Sequence, residues 1–243
     1  MNSVAFDHRG KVLAAAGNGY VTLWNVADPT HPTKLGSLNT RSTGYWTVAS
    51  ISPDGRTLAV GAGTTVRLWN ITNPAEPRLI AGPLPGPTQW ITYITFSHNG
   101  DMLAAGSADD NIYLWNTAGP HPGTSFSTLT GHTDLVTYVA FSANDRTLAS
   151  SSYDDTVRLW NTAPAGPFGD PLTGHTDYAL AVAFSPVSNT LASIGNDDTV
   201  YLWDMNVRDA ISRICAATVG MLTPSQWHRD LPGVPYSPPC PAR

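Results

Sequence analysis

Thr156-Val157-Arg158-Leu159-Trp160-Asn161 is a short alternating run, and its reading decides the fold of the whole chain. A side-chain period of two puts Val157, Leu159 and Asn161 on one face and Arg158 and Trp160 on the other, as in a β-strand. The same ending recurs as Leu23-Trp24-Asn25, Leu68-Trp69-Asn70, Leu114-Trp115-Asn116 and Leu202-Trp203-Asp204. The five tryptophans are separated by 45, 46, 45 and 43 residues. One such tripeptide would mean little, whereas five in register mark an internal repeat.

Working outward from Trp160 gives one full unit. Val136 to Ser142 (VTYVAFS) shows little polarity on either alternating face, as expected of an innermost strand covered on both sides. Asn144-Asp145-Arg146 turns the chain, Thr147 to Ser151 is the second strand, and Tyr153-Asp154-Asp155 is a tight turn into the third. A Pro- and Gly-rich link leads to a short outer strand near Asp170 to Thr173, and Gly174-His175 starts the next unit. Four short strands in about 45 residues define a β-propeller blade. The chain is therefore expected to be all-β, with five recognisable blades at about 1–40, 41–85, 86–130, 131–173 and 174–206. The last lacks its outer strand, and a helical, Pro-rich tail at 207–243 is expected to pack on the propeller.

These units resemble the WD-repeat β-propeller family over residues 1–206. The matching features are Gly131-His132 and Gly174-His175, the closes Ile51-Ser52, Phe96-Ser97, Phe141-Ser142 and Phe184-Ser185, the turn Ser52-Pro53-Asp54-Gly55, and the five Leu-Trp ends. The resemblance implies a buried hydrogen-bonded set of His, Asp and Trp: His132, Asp154 and Trp160 in blade four, His175, Asp197 and Trp203 in blade five. An indole N–H and a carboxylate inside packed sheets must find partners, and a His bridging Asp and backbone would supply them. The His-Asp pairs are thus structural rather than catalytic. Blade three keeps Asp109 and Trp115 but has Gly86-Pro87 in place of Gly-His. Blade two has Arg41-Ser42 there and Gly63 at the Asp position, and blade one has Asn18. The N-terminal half is therefore expected to be the less rigid one.

Composition narrows the role. A net charge of −5, with 13 Lys and Arg against 18 Asp and Glu, leaves no footprint for nucleic acid. No stretch approaches the roughly 18 apolar residues that span a bilayer, so no membrane insertion is expected. No basic segment followed by an apolar core opens the chain, which implies a cytoplasmic location. Cys215 and Cys240 leave two readings: unrelated thiols, or a disulfide fixing the tail in an oxidising, extracytoplasmic compartment.

The first strands (1–6, 45–51, 90–96, 135–141 and 178–184) contain no Asp or Glu, so paired carboxylates are missing where a propeller glycosidase would carry them. No Gly-x-Ser-x-Gly elbow occurs, and the seven His show no metal-ligand spacing. The Asp-Asp pairs at 109, 154 and 197 suit tight turns better than calcium. No enzyme activity, metal or cofactor is expected. Binding of a protein or peptide remains, and one column suggests where: Tyr45, Trp90, Leu135 and Tyr178, each six residues before the aligned Phe or Ile, with Trp46 beside the first. Large rigid aromatics are what interface hot spots are made of, although the same rings could simply pack blade on blade.

Phe6 lies too near Met1 for an upstream strand, and after Asp204 the pattern turns helical, with Ile211, Ile214, Cys215 and Thr218 on one stripe and a capping pair at Thr223 and Gln226. Bare sheet edges would invite pairing with another segment or a second copy, so the chain reads as the C-terminal part of a larger protein or as an assembly element. The tail, including Gln226-Trp227, Leu231-Pro232-Gly233 and Pro235-Tyr236, is also similar to the C-terminal extension of large actinobacterial WD-repeat regulatory proteins. That likeness implies one part of a larger signalling or regulatory protein, and with the missing carboxylates the chain is expected to be its non-enzymatic scaffold.

Overall fold

The computed structural model describes residues 2–40 and 46–205. The tail at 207–243, with Cys215 and Cys240, and also Arg41, Ser42 and Tyr45, lie outside the described residues. All regular elements within them are strands. Blade one comprises β1 (Ser3–Phe6), β2 (Val12–Gly17), β3 (Tyr20–Asn25) and β4 (Thr33–Asn39). Blade two comprises β5 (Thr47–Ile51), β6 (Thr57–Ala62), β7 (Thr65–Asn70) and β8 (Arg78–Ala81). Blade three comprises β9 (Ile91–Phe96), β10 (Met102–Ser107), β11 (Ile112–Asn116) and β12 (Phe126–Leu129). Blade four holds β13 (Val136–Phe141), β14 (Thr147–Ser152), β15 (Thr156–Thr162), β16 (Ala165–Pro167) and β17 (Leu172–Thr173). Blade five holds β18 (Ala179–Phe184), β19 (Thr190–Gly195) and β20 (Val200–Asp204).

Each blade is an antiparallel meander in sequence order. In blade four the outer position is shared by two pieces, β16 and β17, which pair with opposite ends of β15, where the sequence suggested one strand near 170–173. Blade five shows three strands among the described residues.

The recurrent Phe-Ser and Ile-Ser closes have a local cause. Ser52 Oγ donates to Asp54 Oδ1 at 2.6 Å and accepts the Thr57 N–H at 2.9 Å, pinning the first hairpin of blade two. Ser97 with Asn99, and Ser142 with Asn144, repeat the device in blades three and four. These side-chain bonds satisfy turn amides that no strand partner reaches.

Stacking between blades supplies the core. Val21 and Leu23 of β3 lie against Ala49, Ile51 and Leu58 of blade two. Val66 and Leu68 meet Ile94, Phe96 and Leu103, Ile112 and Leu114 meet Val139, Phe141 and Leu148, and Val157 and Leu159 meet Val182 and Leu191. The first strands β1, β5, β9, β13 and β18 follow one another around the inside of the arc. Among the described residues, no packing of similar extent joins blade five to blade one.

Candidate interaction rim and the network beneath it

Where the first strand of a blade begins, the hairpin between its second and third strands ends, so both lie at one rim. Beneath this rim in blade four runs a chain of hydrogen bonds. His132 Nδ1 lies 2.8 Å from Asp154 Oδ2, His132 Nε2 lies 2.7 Å from Ser150 Oγ, and Trp160 Nε1 donates to the same Oγ at 2.8 Å. A carboxylate only accepts, so the ring proton belongs on Nδ1, and Ser150 then donates to Nε2 while accepting from the indole. Blade five repeats the set with His175, Asp197, Ser193 and Trp203, with distances of 3.1, 2.8 and 2.9 Å along the same path.

The far side of each histidine thus meets a serine hydroxyl, not the backbone that the sequence reading supplied. The signal was present. Ser150 and Ser193 occupy one place in the second strand, where Ala15, Val60 and Ala105 stand in the blades without Gly-His.

Asp154 also accepts the Thr133 N–H at 3.0 Å and the Thr156 N–H and hydroxyl at 3.0 and 2.6 Å. Burial pulls its carboxyl upward, but the bonds from His132, Thr156 and Thr133 outweigh that and hold it below the ordinary carboxylate range. Asp197 behaves alike: desolvation raises it, and donors from Thr176, Thr199 and His175 bring it down. The second acid of each pair does a different job. Asp110, Asp155 and Asp198 take φ of 67°, 64° and 57°, the left-handed conformation that Asp tolerates in turns.

Blades one and two lack the acid because their hairpin is one residue shorter. Leu13 pairs with Trp24 and Leu58 with Trp69, eleven positions apart, whereas Leu103, Leu148 and Leu191 pair with tryptophans twelve positions on. In blade three, Asp109 Oδ2 takes the Thr88 N–H and hydroxyl, both at 2.8 Å, and the Tyr113 hydroxyl at 3.0 Å. Trp115 Nε1 turns instead to the Pro85 carbonyl at 2.9 Å. Asp109 and Trp115 therefore serve two separate sets of bonds. Burial, then the bond to Asp109, pushes the Tyr113 phenol up to about 12.

The aromatic column needs a correction at blade two. The carbonyls of Trp90, Leu135 and Tyr178 accept the N–H of Ala108, Tyr153 and Asn196, at 3.0, 2.9 and 2.8 Å, and the matching carbonyl in blade two belongs to Trp46, 3.5 Å from the Gly63 nitrogen. The spacing read Tyr45 because blades three to five carry a β-bulge. Thr92, Thr137 and Leu180 are extra residues in their first strands, and β5 has none. The bulged threonines are stitches, since Thr92 Oγ1 donates to the Val136 carbonyl at 2.5 Å and Thr137 Oγ1 to that of Ala179 at 2.8 Å.

Trp46, Trp90 and Tyr178 are exposed, and Leu135 is half-buried. Two of them also brace neighbouring blades. Trp46 Nε1 donates to the Thr92 carbonyl at 3.2 Å, and Tyr178 stacks on Tyr153 of blade four with centroids 4.1 Å apart. Packing and exposure therefore coexist: Trp46 is held through its indole N–H and Tyr178 through one ring face, and both remain exposed.

Acids dominate the loops of this rim, and the guanidinium of Arg67 reaches it from β7, where Nη1 donates to Thr65 Oγ1 at 2.9 Å. Its described loops and hairpins carry Asp109, Asp110, Asp134, Asp154, Asp155, Asp177, Asp197 and Asp198, and no Lys or Arg. Burial, then the carboxylates of Asp134, Asp109 and Asp154, pushes the Asp110 carboxyl up, which shows acids of adjacent blades sharing one field. Arg9, Lys11, Arg56 and Arg146 lie at the opposite rim, in the turns between first and second strands.

An arc of radially stacked antiparallel meanders, each packed on the next, defines a propeller-type fold. Comparison with known families agrees: the model of the WD domain, G-beta repeat, matches residues 1–25, 33–70, 79–116, 123–161 and 168–204. The chain belongs to the WD-repeat family, whose domains generally mediate protein–protein interaction. No curated protein matches it.

Proposed function

We propose that this chain is a non-enzymatic scaffold that captures a protein or peptide on the rim formed by Trp46, Trp90, Leu135 and Tyr178. One observation carries the reading: four apolar side chains share one register position in successive blades, two of them, Trp46 and Tyr178, are held by contacts to neighbouring blades, and the described loops around them carry acids and no Lys or Arg. Rigid aromatics lose little entropy on binding, and a predominantly acidic field selects partners of the opposite sign. The partner segment is therefore basic. The similarity of the tail to that of large regulatory proteins favours a role as one module of a signalling protein.

The test is direct binding to immobilised peptides of matched length, basic against acidic. Trp90→Ala with Tyr178→Ala should remove capture of the basic peptides while circular dichroism stays unchanged. Equal binding of acidic peptides, or capture that survives both substitutions, would sink the reading. A second reading, an assembly element joined to other propeller segments, is favoured by apolar faces of blades one and five that no described blade covers.

A further inference from the structure

Between blades two and three, on the side away from the aromatic rim, the stacking is incomplete. A cavity of about 310 Å³ opens there, and every residue around it is described. Its cause lies in two turns. In blade four, Asp145 reaches back across the joint and accepts the N–H groups of His98 and Asn99 at 2.8 and 2.9 Å, tying the turns of blades three and four together. Counted from the turn serines, Gly100 holds the place of Asp145 one blade earlier, and Pro53 holds the place of His98. Gly100 has no side chain to send across, and Pro53 has no N–H to meet one. A Cβ added at Gly100 would touch nothing nearer than the Pro53 ring, at 3.4 Å.

The outer wall is made by a bulge. Leu68 and Trp69 pair with Ala81 and Leu79, so Ile80 is an extra residue in β8, and it lines the cavity while 46% exposed. Bulges re-aim a side chain in this way. Buried Leu68 and Phe96 line the same space together with Pro53 and Pro122. Two exposed carboxylates complete it. Asp54 Oδ1 takes the Ser52 hydroxyl at 2.6 Å and the Arg56 N–H at 3.0 Å, and Asp101 Oδ2 takes the Asn99 amide at 3.0 Å. Their other oxygens, Asp54 Oδ2 and Asp101 Oδ1, accept no hydrogen bond among the described residues. No Lys, Arg or His lines the cavity.

We propose that this cleft is a second binding site, for a small organic cation: an ammonium or guanidinium carried on an apolar body. Its volume lies at the floor of the roughly 300–1,000 Å³ typical of ligand pockets, so it takes one compact molecule. The apolar walls gain from covering the body, and the two free carboxylate oxygens offer charge-assisted bonds to the cation while rejecting an anion of the same shape. The site goes beyond the rim reading and is independent of it.

Amide-detected nuclear magnetic resonance of the labelled full chain tests this, with phenethylammonium, its neutral analogue phenethyl alcohol and the anion hydrocinnamate as probes. The cation should bind with a dissociation constant of about 1 mM or below and shift the amides of Gly100, Thr117 and Ala118, which line the cavity. The alcohol should bind about tenfold more weakly and the anion not at all. Asp54→Asn with Asp101→Asn should bring the cation down to the affinity of the alcohol, since Asn keeps the oxygen that each turn uses and loses only the charge. Ile80→Ala should weaken the cation and the alcohol alike, by about fivefold. Trp90→Ala with Tyr178→Ala should leave all three titrations unchanged. No saturable binding of the cation up to about 10 mM would overturn the proposal. So would hydrocinnamate binding as well as the cation, affinity that ignores the Asp and Ile80 substitutions, or shifts confined to the aromatic rim.

Discussion

Ser150→Ala removes one oxygen and leaves two buried nitrogens without a partner. Trp160 is 0% exposed, and the side chain of His132 is likewise shut off from solvent. Neither the indole N–H nor the Nε2 lone pair can turn to water. An orphaned buried polar group costs about 1–3 kcal/mol, so the substitution should destabilise the chain by about 2–4 kcal/mol in all. Blade three shows that alanine itself is tolerated in this strand, because Ala105 stands there and Trp115 donates to the Pro85 carbonyl instead. The loss therefore belongs to the stranded partners and not to the backbone. Equilibrium unfolding in urea, followed by far-ultraviolet circular dichroism, reads it as a lower midpoint at unchanged slope. Ser188→Ala, in an exposed turn, is the control and should stay within about 0.5 kcal/mol of wild type. If Ser150→Ala were no more costly than that control, the bonded chain from Asp154 to Trp160 would not be holding the blade.

The low carboxyls of Asp154 and Asp197 predict an acid limb. A carboxylate whose folded pKa lies below its unfolded value near 4 stabilises the fold above that value and loses this contribution as pH falls below it, so stability should decline from about pH 4 downward. Asp154→Asn should flatten that limb in acid titrations followed by tryptophan fluorescence. Asp155 sits at φ 64°, so Asp155→Val should lower the thermal midpoint by the equivalent of about 1–2 kcal/mol, whereas Asp155→Gly should be tolerated. Capture of a basic peptide on the rim should weaken roughly tenfold on going from low salt to several tenths molar, as screening shortens the reach of the eight carboxylates.

The blades were legible because a strand that ends in Leu-Trp repeats at a length no single sheet can bury by itself. Local chemistry explains why the second residue of each Asp-Asp turn must take positive φ and why a serine follows the last apolar residue of the first strands. The serine beneath each tryptophan was legible too, but only by comparing blades, since Ser150 and Ser193 gain meaning from the alanines and valine that replace them elsewhere. The rim register was not legible from spacing counted back from Phe. A bulge adds a residue without breaking the apolar alternation, so it moved Trp46 into a place that arithmetic gave to Tyr45.

Burial at the ends of the arc marks a harder limit. Thr156-Val-Arg-Leu-Trp and Thr199-Val-Tyr-Leu-Trp are nearly the same words, yet Leu159 is core and Leu202 is surface. Alternation reports which way a side chain points and says nothing of whether anything waits there. The difference lies outside the strand, in whether a described blade packs on it. One residue does register it. Where Thr92 and Thr137 offer a hydroxyl to the next first strand, blade five has Leu180, a side chain that gains from being covered but needs no carbonyl in front of it.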